Sequence, residues 1–330
     1  MSDKVISVVT GANGFVGSHL VDYLIDKGDE VHCLVRKSSN LRWLEGKNVV
    51  IHDSGLFDIE GLKKVLTNID YLYHVAGVVK AKNEEGYFKG NVKATENLLN
   101  TVLETSPEIK RVLIVSSLTA CGPSLNGNIC NEKSQRHPIT TYGKSKAAQE
   151  ELAEKYMDKL PITIVRPPAI FGERDTEIYL FFKTYMKGLM SLIGFNKKDL
   201  SLIYVKDLVQ GIYLAATKDM SKGETYFISS KELYTWPQIG KILQKVTNKK
   251  AVTLRLPHFL VYGVAAIAQL LAMPLSTAAT FNLEKARDFV QESWTCDINK
   301  AEKDLGFKEN YTLEEAMKRT IDWYREKKWL

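Results

Sequence analysis

Residues 4–17 read KVISVVTGANGFVG: a β-branched apolar run that ends in Gly11, Gly14 and Gly17. The following HLVDYLIDKG has helical apolar spacing and stops at Gly28. The order is strand, glycine loop, helix. Gly11 suits a tight turn, Gly14 lets backbone approach a pyrophosphate, and Gly17 lets the helix pack close to the strand. The free amides of the helix N-terminus then face the anion. Gly11, Asn13, Gly14, Phe15, Val16 and Gly17 are therefore expected to line a bound dinucleotide. The next strand, EVHCLVR, completes a βαβ unit.

Working outward, strands are expected at 48–52, 69–77, 111–117 and 161–166, and helices near 58–66, 86–104 and 140–159. Repeated alternation of this kind predicts an α/β fold, a Rossmann-type doubly wound parallel sheet. Ligands in such sheets bind at the carboxyl ends of the strands, where Thr10, Arg36, Ala76, Ser117 and Arg166 fall. Residues 1–172 are expected to form an NAD(P)-binding domain. Beyond 172 the alternation loosens, which predicts a smaller, mostly helical substrate-binding domain over 173–330 that ends in two or three helices. Segment 201–217 is expected to return to the first domain.

Tyr142 and Lys146 stand four residues apart in TTYGKSKAAQEELAEKY, on one face of an expected helix. A phenol beside a fixed ammonium and a helix N-terminus should have its pKa drawn from about 10 toward neutrality, as a general acid/base requires. The same spacing also arises as a solvated lysine beside a half-buried tyrosine.

Composition narrows the remaining choices. Lys and Arg number 45 against 39 Asp and Glu, and they are scattered along the chain, so the net charge of +6 forms no basic stripe for nucleic acid. Cys33, Cys121, Cys130 and Cys296 show neither C-x-x-C pairing nor histidines at metal spacing, so reduced thiols in a cytoplasmic protein are expected, with no metal site. No secretory signal is expected either, because the first strand begins at once. RLPHFLVYGVAAIAQLLAMPL, residues 255–275, is the most apolar run. Pro257 and Pro274 bound it, and His258, Gly263 and Gln269 interrupt it. It is short for a membrane span and is expected to be a buried or substrate-lining helix, with a membrane-surface contact as the alternative.

Several ordered segments together resemble the extended short-chain dehydrogenase/reductase family, the group of nucleotide-sugar epimerases and dehydratases, dihydroflavonol reductases and 3β-hydroxysteroid dehydrogenases. They are TGANGFVG at 10–17, HVAG at 74–77, GNVKATENLL at 90–99, VSSLTACG at 115–122, YGKSK at 142–146, RPPAIFG at 166–172 and IYVKDLVQGIYLA at 203–215. The resemblance implies Tyr142 as acid/base, Lys146 as the residue that lowers its pKa and bonds the nicotinamide ribose, and Ser117 as the third catalytic group. Ser116 is the rival; adjacent strand residues point to opposite faces, so it is assigned a structural hydrogen bond. The resemblance also implies that Ala76 and Gly77 contact cofactor, and that Pro167, Pro168 and Ala169 run beside the nicotinamide, although a proline pair can simply end a strand. Asn91 corresponds to the asparagine that shapes the helix near the lysine; a helix-capping amide is the plainer role.

Two departures stand out. An acid at the end of the second strand would bind the free 2′-hydroxyl of NAD, but this chain has Arg36, which suits the 2′-phosphate of NADP unless it merely faces solvent. NADP is thus the preferred cofactor, with NAD second. The family's Gly-Asp-Leu aligns with Ser54, Gly55 and Leu56, leaving the Leu56 backbone, or Asp53 after a loop shift, to meet adenine. The implied activity lies at a secondary alcohol or ketone carbon of a small-molecule substrate, in the first reading a nucleotide-sugar. A reductase of a bulky apolar ketone and a non-catalytic NAD(P) sensor are the alternatives. Arg174, Lys197, Lys198 and Arg255 are the available anion partners, or else solvated surface residues. A homodimer is compatible with the family.

Overall fold

The computed structural model describes residues 4–125, 127–273 and 281–330. Its strands are β1 Ile6–Thr10, β2 Glu30–Leu34, β3 Val50–His52, β4 Tyr71–His74, β5 Arg111–Val115, β6 Ile162–Arg166 and β7 Ala169–Phe171. They continue with β8 Leu189–Ile193, β9 Asp199–Leu200, β10 Leu202–Tyr204, β11 Thr225–Phe227, β12 Tyr234–Thr235, β13 Val252–Leu256 and β14 Ser293–Trp294. The helices of the first half are α1 Phe15–Asp26, α2 Ile59–Val65, α3 Glu84–Phe88, α4 Ala94–Thr105 and α5 Thr141–Glu154. Those of the second are α6 Tyr179–Met186, α7 Val205–Thr217, α8 Trp236–Thr247, α9 His258–Ala272, α10 Leu283–Val290, α11 Asn299–Leu305 and α12 Leu313–Glu326.

Seven parallel strands form the central sheet in the order β11-β6-β5-β4-β1-β2-β3. The expected Rossmann-type doubly wound sheet is present. Strand order reverses between β1 and β4, which makes the crevice at their carboxyl ends the place for a ligand. Alternation along the strands supplies two cores. Val9, Leu113 and Val115 face α1 and α7, whereas Val8, Val112 and Ile114 face α2, α4 and α5. Helix α7 lies on the α1 face of the sheet, as expected for 201–217, and β11 adds an edge strand from the same part of the chain.

Three expectations are corrected. The run 86–104 is not one helix: a π-helical turn at Lys89–Lys93 separates α3 from α4 and carries Asn91. Among the described residues five helices follow β11, not two or three, because the shortest, α11 with 7 residues, is too brief to show a clear apolar period. The apolar run at 255–275 does form a helix, α9, but only Val261 and Ala265 are buried in it, because α10 covers a single side. Pro274 and Leu275 lie outside the described residues. Among the described residues no helix is long and apolar enough to cross a membrane.

Candidate active site

The glycine loop joins β1 to α1 in the manner its spacing implies. Gly11 turns with φ +68, and a Cβ there would meet the Ala76 backbone at 2.9 Å. A Cβ on Gly17 would stand 2.1 Å from the Gly11 carbonyl oxygen, so the helix can approach the strand only as glycine. Gly14 begins α1 with extended backbone and no side-chain cap, which leaves the first-turn amides of Phe15, Val16 and Gly17 free for an anion. The side chains of Phe15 and Val16 pack inward, and Asn13 ties the loop to the Asn40 carbonyl at 3.4 Å. This cradle fits a dinucleotide pyrophosphate: a side chain at either glycine would fill or break it.

Arg36 is exposed where the chain leaves β2; its backbone bridges to Ser54, and its side chain lies over Gly55. The carbonyl of Leu56 accepts a 3.0 Å hydrogen bond from Asn97, so only its amide remains for an adenine. Thr10 accepts from the Ala76 amide at 3.1 Å, and a Cβ on the neighbouring Gly77 would stand 3.8 Å from Lys146 Nζ. The sheet has thus brought the HVAG turn, the glycine loop and the lysine to one edge. Pro167 and Pro168 are buried beyond β6 and Ala169 is exposed; the Pro167 carbonyl accepts from the Leu118 amide at 2.9 Å.

Thr140 caps α5 by accepting from the Gly143 amide, which sets Tyr142 in the first turn. The Tyr142 phenol lies within reach of Ser117, the serine that the family resemblance implies. The Ser117 hydroxyl also accepts from Thr119 Oγ1 at 2.9 Å. Ser116 points away, but the structural hydrogen bond assigned to it is absent: its buried hydroxyl has no partner, and only its amide is bonded, to the Val165 carbonyl. Asn91 is neither a helix cap nor free. Its amide donates to the Val78 carbonyl at 3.1 Å and to Ser145 Oγ at 2.8 Å, while its oxygen accepts from the Val78 amide, bracing the loop after HVAG against α5.

The expected pull of Lys146 on the phenol is not what the geometry produces. Burial pushes the Tyr142 phenol up to about 12, against a weaker opposing effect from Ser117. Lys146 Nζ donates instead to the Val115 carbonyl at 2.7 Å and to Gln149. Burial pulls that ammonium down to about 8, and Glu150 resists the shift. The lysine ends a buried relay that the sequence did not reveal. Gln149 donates to Thr95 Oγ1 at 2.7 Å, Thr95 meets His74 Nε2 at 2.9 Å, and His74 Nδ1 meets Thr10 Oγ1 at 2.8 Å. Burial drops His74 to about 3, so the imidazole is neutral and links the glycine loop to Lys146 without adding a charge.

A lysine whose folded pKa lies below its unfolded value binds fewer protons folded than unfolded between the two, so stability rises with pH in that window. For Lys146 the window runs from about 8 to 10.5. Urea unfolding should show the wild-type chain gaining about 3 kcal/mol relative to Lys146→Met as pH rises through it. A constant difference between the two proteins would mean that the ammonium is not desolvated.

Helix α10 lies beside the start of α5. Glu284 accepts from the Thr141 amide, and the half-buried Asp288 acts on the phenol with one enclosed carboxylate oxygen lacking any hydrogen-bond partner. Burial first, and the like charge of Glu284 second, push Asp288 up to about 7. Neither acid was found from the sequence; the only signal is their four-residue spacing on a short helix. The four weighed cations lie elsewhere. Arg174 pairs with Asp22 at 2.7 Å, Lys197 with Asp199 at 2.9 Å, and Arg255 donates to the Gly194 and Phe195 carbonyls. Lys198 is not a solvated surface residue: it is buried and donates to the Val290 carbonyl at 2.8 Å.

A model of the NAD dependent epimerase/dehydratase family matches residues 7–229. The chain belongs to this family. Like its relatives, it is an NAD(P)-dependent enzyme of the extended short-chain dehydrogenase/reductase group. It is 27% identical over 332 residues to a ceramide reductase of Caulobacter vibrioides, covering 98% of this chain and 96% of that protein. It is 24% identical to a decarboxylating sterol-4-alpha-carboxylate 3-dehydrogenase of Dictyostelium discoideum, covering 94% and 98%. Among solved structures, UDP-glucuronic acid 4-epimerase from Bacillus cereus in complex with NAD superposes with a TM-score of 0.78 at 21% identity, covering 98% and 99%. That likeness shows that this epimerase/dehydratase family member shares the fold of an NAD-binding protein.

Proposed function

We propose that this family member interconverts a ketone and a secondary alcohol on a substrate with a large apolar part, and prefers NADP to NAD. One observation carries the substrate class: the carboxylates Glu284 and Asp288 stand beside the start of α5 and Tyr142, while Arg174, Lys197, Lys198 and Arg255 are engaged within the chain. The diphosphate of a sugar nucleotide is attracted by free cations and repelled by carboxylates. The likeness to a ceramide reductase and a sterol dehydrogenase over nearly the whole chain supports the same reading. The nucleotide-sugar reading keeps one feature in its favour, Arg287 of α10, which donates to the Ile139 carbonyl beside the site at 3.1 Å.

In this reading residues 1–172 with α7 hold the cofactor, and the rest of 173–330 holds the substrate. Gly11, Asn13, Gly14, Phe15, Val16 and Gly17 surround the pyrophosphate; Ala76 and Gly77 flank it, Pro167, Pro168 and Ala169 run beside the nicotinamide, and the Leu56 amide meets the adenine. Asn91 acts through the loop it braces. A bound nicotinamide cofactor supplies or accepts the hydride. Ser117 holds the substrate oxygen and Tyr142 delivers its proton in the reductive direction. A phenol pushed up to about 12 is protonated at neutral pH, as a proton donor must be. Lys146 turns its ammonium to the ribose.

Arg36 decides the cofactor preference. A charge-assisted contact with the 2′-phosphate contributes about 1.5–3 kcal/mol, so Arg36→Ala should weaken NADP by roughly tenfold or more and leave NAD little changed. Calorimetric titration checks this, and equal losses for both cofactors would mean that Arg36 only stacks on adenine. The substrate class is tested by incubating the protein with long-chain keto-lipids, sterol ketones and UDP-hexoses, following cofactor absorbance and product stereochemistry together. Reduction of an apolar ketone is the expected result; epimerisation of a UDP-hexose without net absorbance change would favour the other reading.

A further inference from the structure

The exposed face of α9 is the largest feature that the catalytic account leaves unused. A helix that is apolar on all sides belongs in a core or in lipid, and among the described residues α9 has no core on its outer side. Val261 and Ala265 pack on Ala286 of α10, whereas Phe259, Ile267 and Leu271 are 72%, 60% and 71% exposed. Leu260, Val264, Leu270 and Met273 are exposed beside them. The surface continues onto the parallel ribbon of β8 and β13. There Leu189 pairs with Val252 and Ile193 with Leu256, and parallel partners point the same way. Ile193 and Leu256 turn toward α9, so Leu189, Val252 and Leu254, all exposed, share its side.

Charge on the two stretches of chain that build the ribbon and lead into α9 has one sign. The chain has no Asp or Glu between Glu177 and Asp199, nor between Glu232 and Glu284. These two stretches are the ones joined by the ribbon, and they expose Lys183, Lys187, Lys249 and Lys250. Among the described residues none of the four has a carboxylate partner. A second copy of the chain is a poor cover, since a two-fold interface would set these cations against their own counterparts. A 15-residue helix is also too short to span a bilayer, at about 1.5 Å per residue against a core of about 30 Å.

We propose that α9 and the β8/β13 ribbon dock this protein on the surface of a bilayer containing anionic phospholipid, with the outer face of α9 lying among the acyl chains and the cations against the headgroups. Because α9 packs on α10, whose Asp288 acts on the Tyr142 phenol, the docked surface would adjoin the place where a lipid ketone enters; that consequence, though not the docking, rests on the function proposed above.

Flotation of the full-length protein with phosphatidylcholine vesicles, with and without phosphatidylglycerol, tests the docking. The protein should float, and more of it with the anionic lipid. The double variant Phe259→Ser, Ile267→Ser should lose roughly tenfold or more in vesicle partition, since binding scales with the apolar area buried. Its cofactor binding, read by fluorescence, should stay at the parent level and so show an intact fold. Lys249→Glu, Lys250→Glu should remove the preference for anionic vesicles. A parent protein that stays at the bottom of the gradient with both vesicle types, or a double variant that floats as well as the parent, would overturn the proposal. So would a dimer broken by the same substitutions in a protein that never floats. Turnover of a short water-soluble ketone separates the two readings: flotation without any ketone turnover supports the docking and contradicts the proposed activity.

Discussion

Tyr142→Phe should lower turnover by roughly 10²–10⁴ while leaving cofactor affinity close to the parent value. The substitution removes only the hydroxyl, the group on which Ser117 acts, and keeps the ring that stands 6.4 Å from Tyr87. Thr140 still caps α5, and Lys146 keeps its bonds to Val115 and Gln149, because neither depends on the phenol. Steady-state rates with a ketone substrate, together with a cofactor titration, give both numbers. Near-normal turnover would remove Tyr142 from the proton-transfer role. Loss of rate and cofactor affinity together would point to a collapsed pocket.

The largest effect on stability is expected at Glu150, one turn beyond Lys146. Its carboxylate is fully buried and accepts from Arg166 Nε at 2.9 Å and Nη2 at 2.6 Å, while Arg136 approaches the same oxygen at 2.9 Å. Glu150 holds the already high Arg166 pKa higher still, against burial that lowers it. Glu150→Ala leaves the Arg166 guanidinium buried without its counter-charge, and breaking one side of such a pair costs about 3–5 kcal/mol. The urea midpoint should fall accordingly. A loss below about 1 kcal/mol would mean that Cys121, which accepts from Arg166 at 3.5 Å, and solvent suffice for the cation.

The parts legible in the sequence are those whose chemistry is local. The glycine spacing works within one turn, and the Tyr142/Lys146 spacing within one helix, so both could be placed before any tertiary contact was known. Ser117 was taken over Ser116 from the family's serine motif, and strand alternation adds only that one of the two can face the site. What escaped is what the sheet assembles. The relay from Thr10 through His74, Thr95 and Gln149 to Lys146 joins residues from β1, β4, α4 and α5, and only parallel strand register brings them together. The direction of the Tyr142 shift escaped for a related reason: the sequence places an ammonium near a phenol, but not the Val115 carbonyl that draws the ammonium away. Glu284 and Asp288 lie more than 140 residues beyond Tyr142 on a helix that the pattern did not mark. For α9, apolar composition was read as burial, but composition records what a surface prefers to touch and not whether the chain provides it.

In the proposed function Ser117, Tyr142 and Lys146 serve hydride transfer to an apolar ketone. The most direct test incubates the protein with NADPH deuterated at C4 of the nicotinamide and a long-chain keto-lipid, then examines the product by mass spectrometry and NMR. Deuterium is expected at the carbinol carbon in a single configuration, accumulating roughly 10²–10⁴-fold more slowly when Tyr142→Phe replaces the parent protein. A parent protein that leaves every apolar ketone unlabelled, while converting a UDP-hexose to its epimer, would contradict the proposed function.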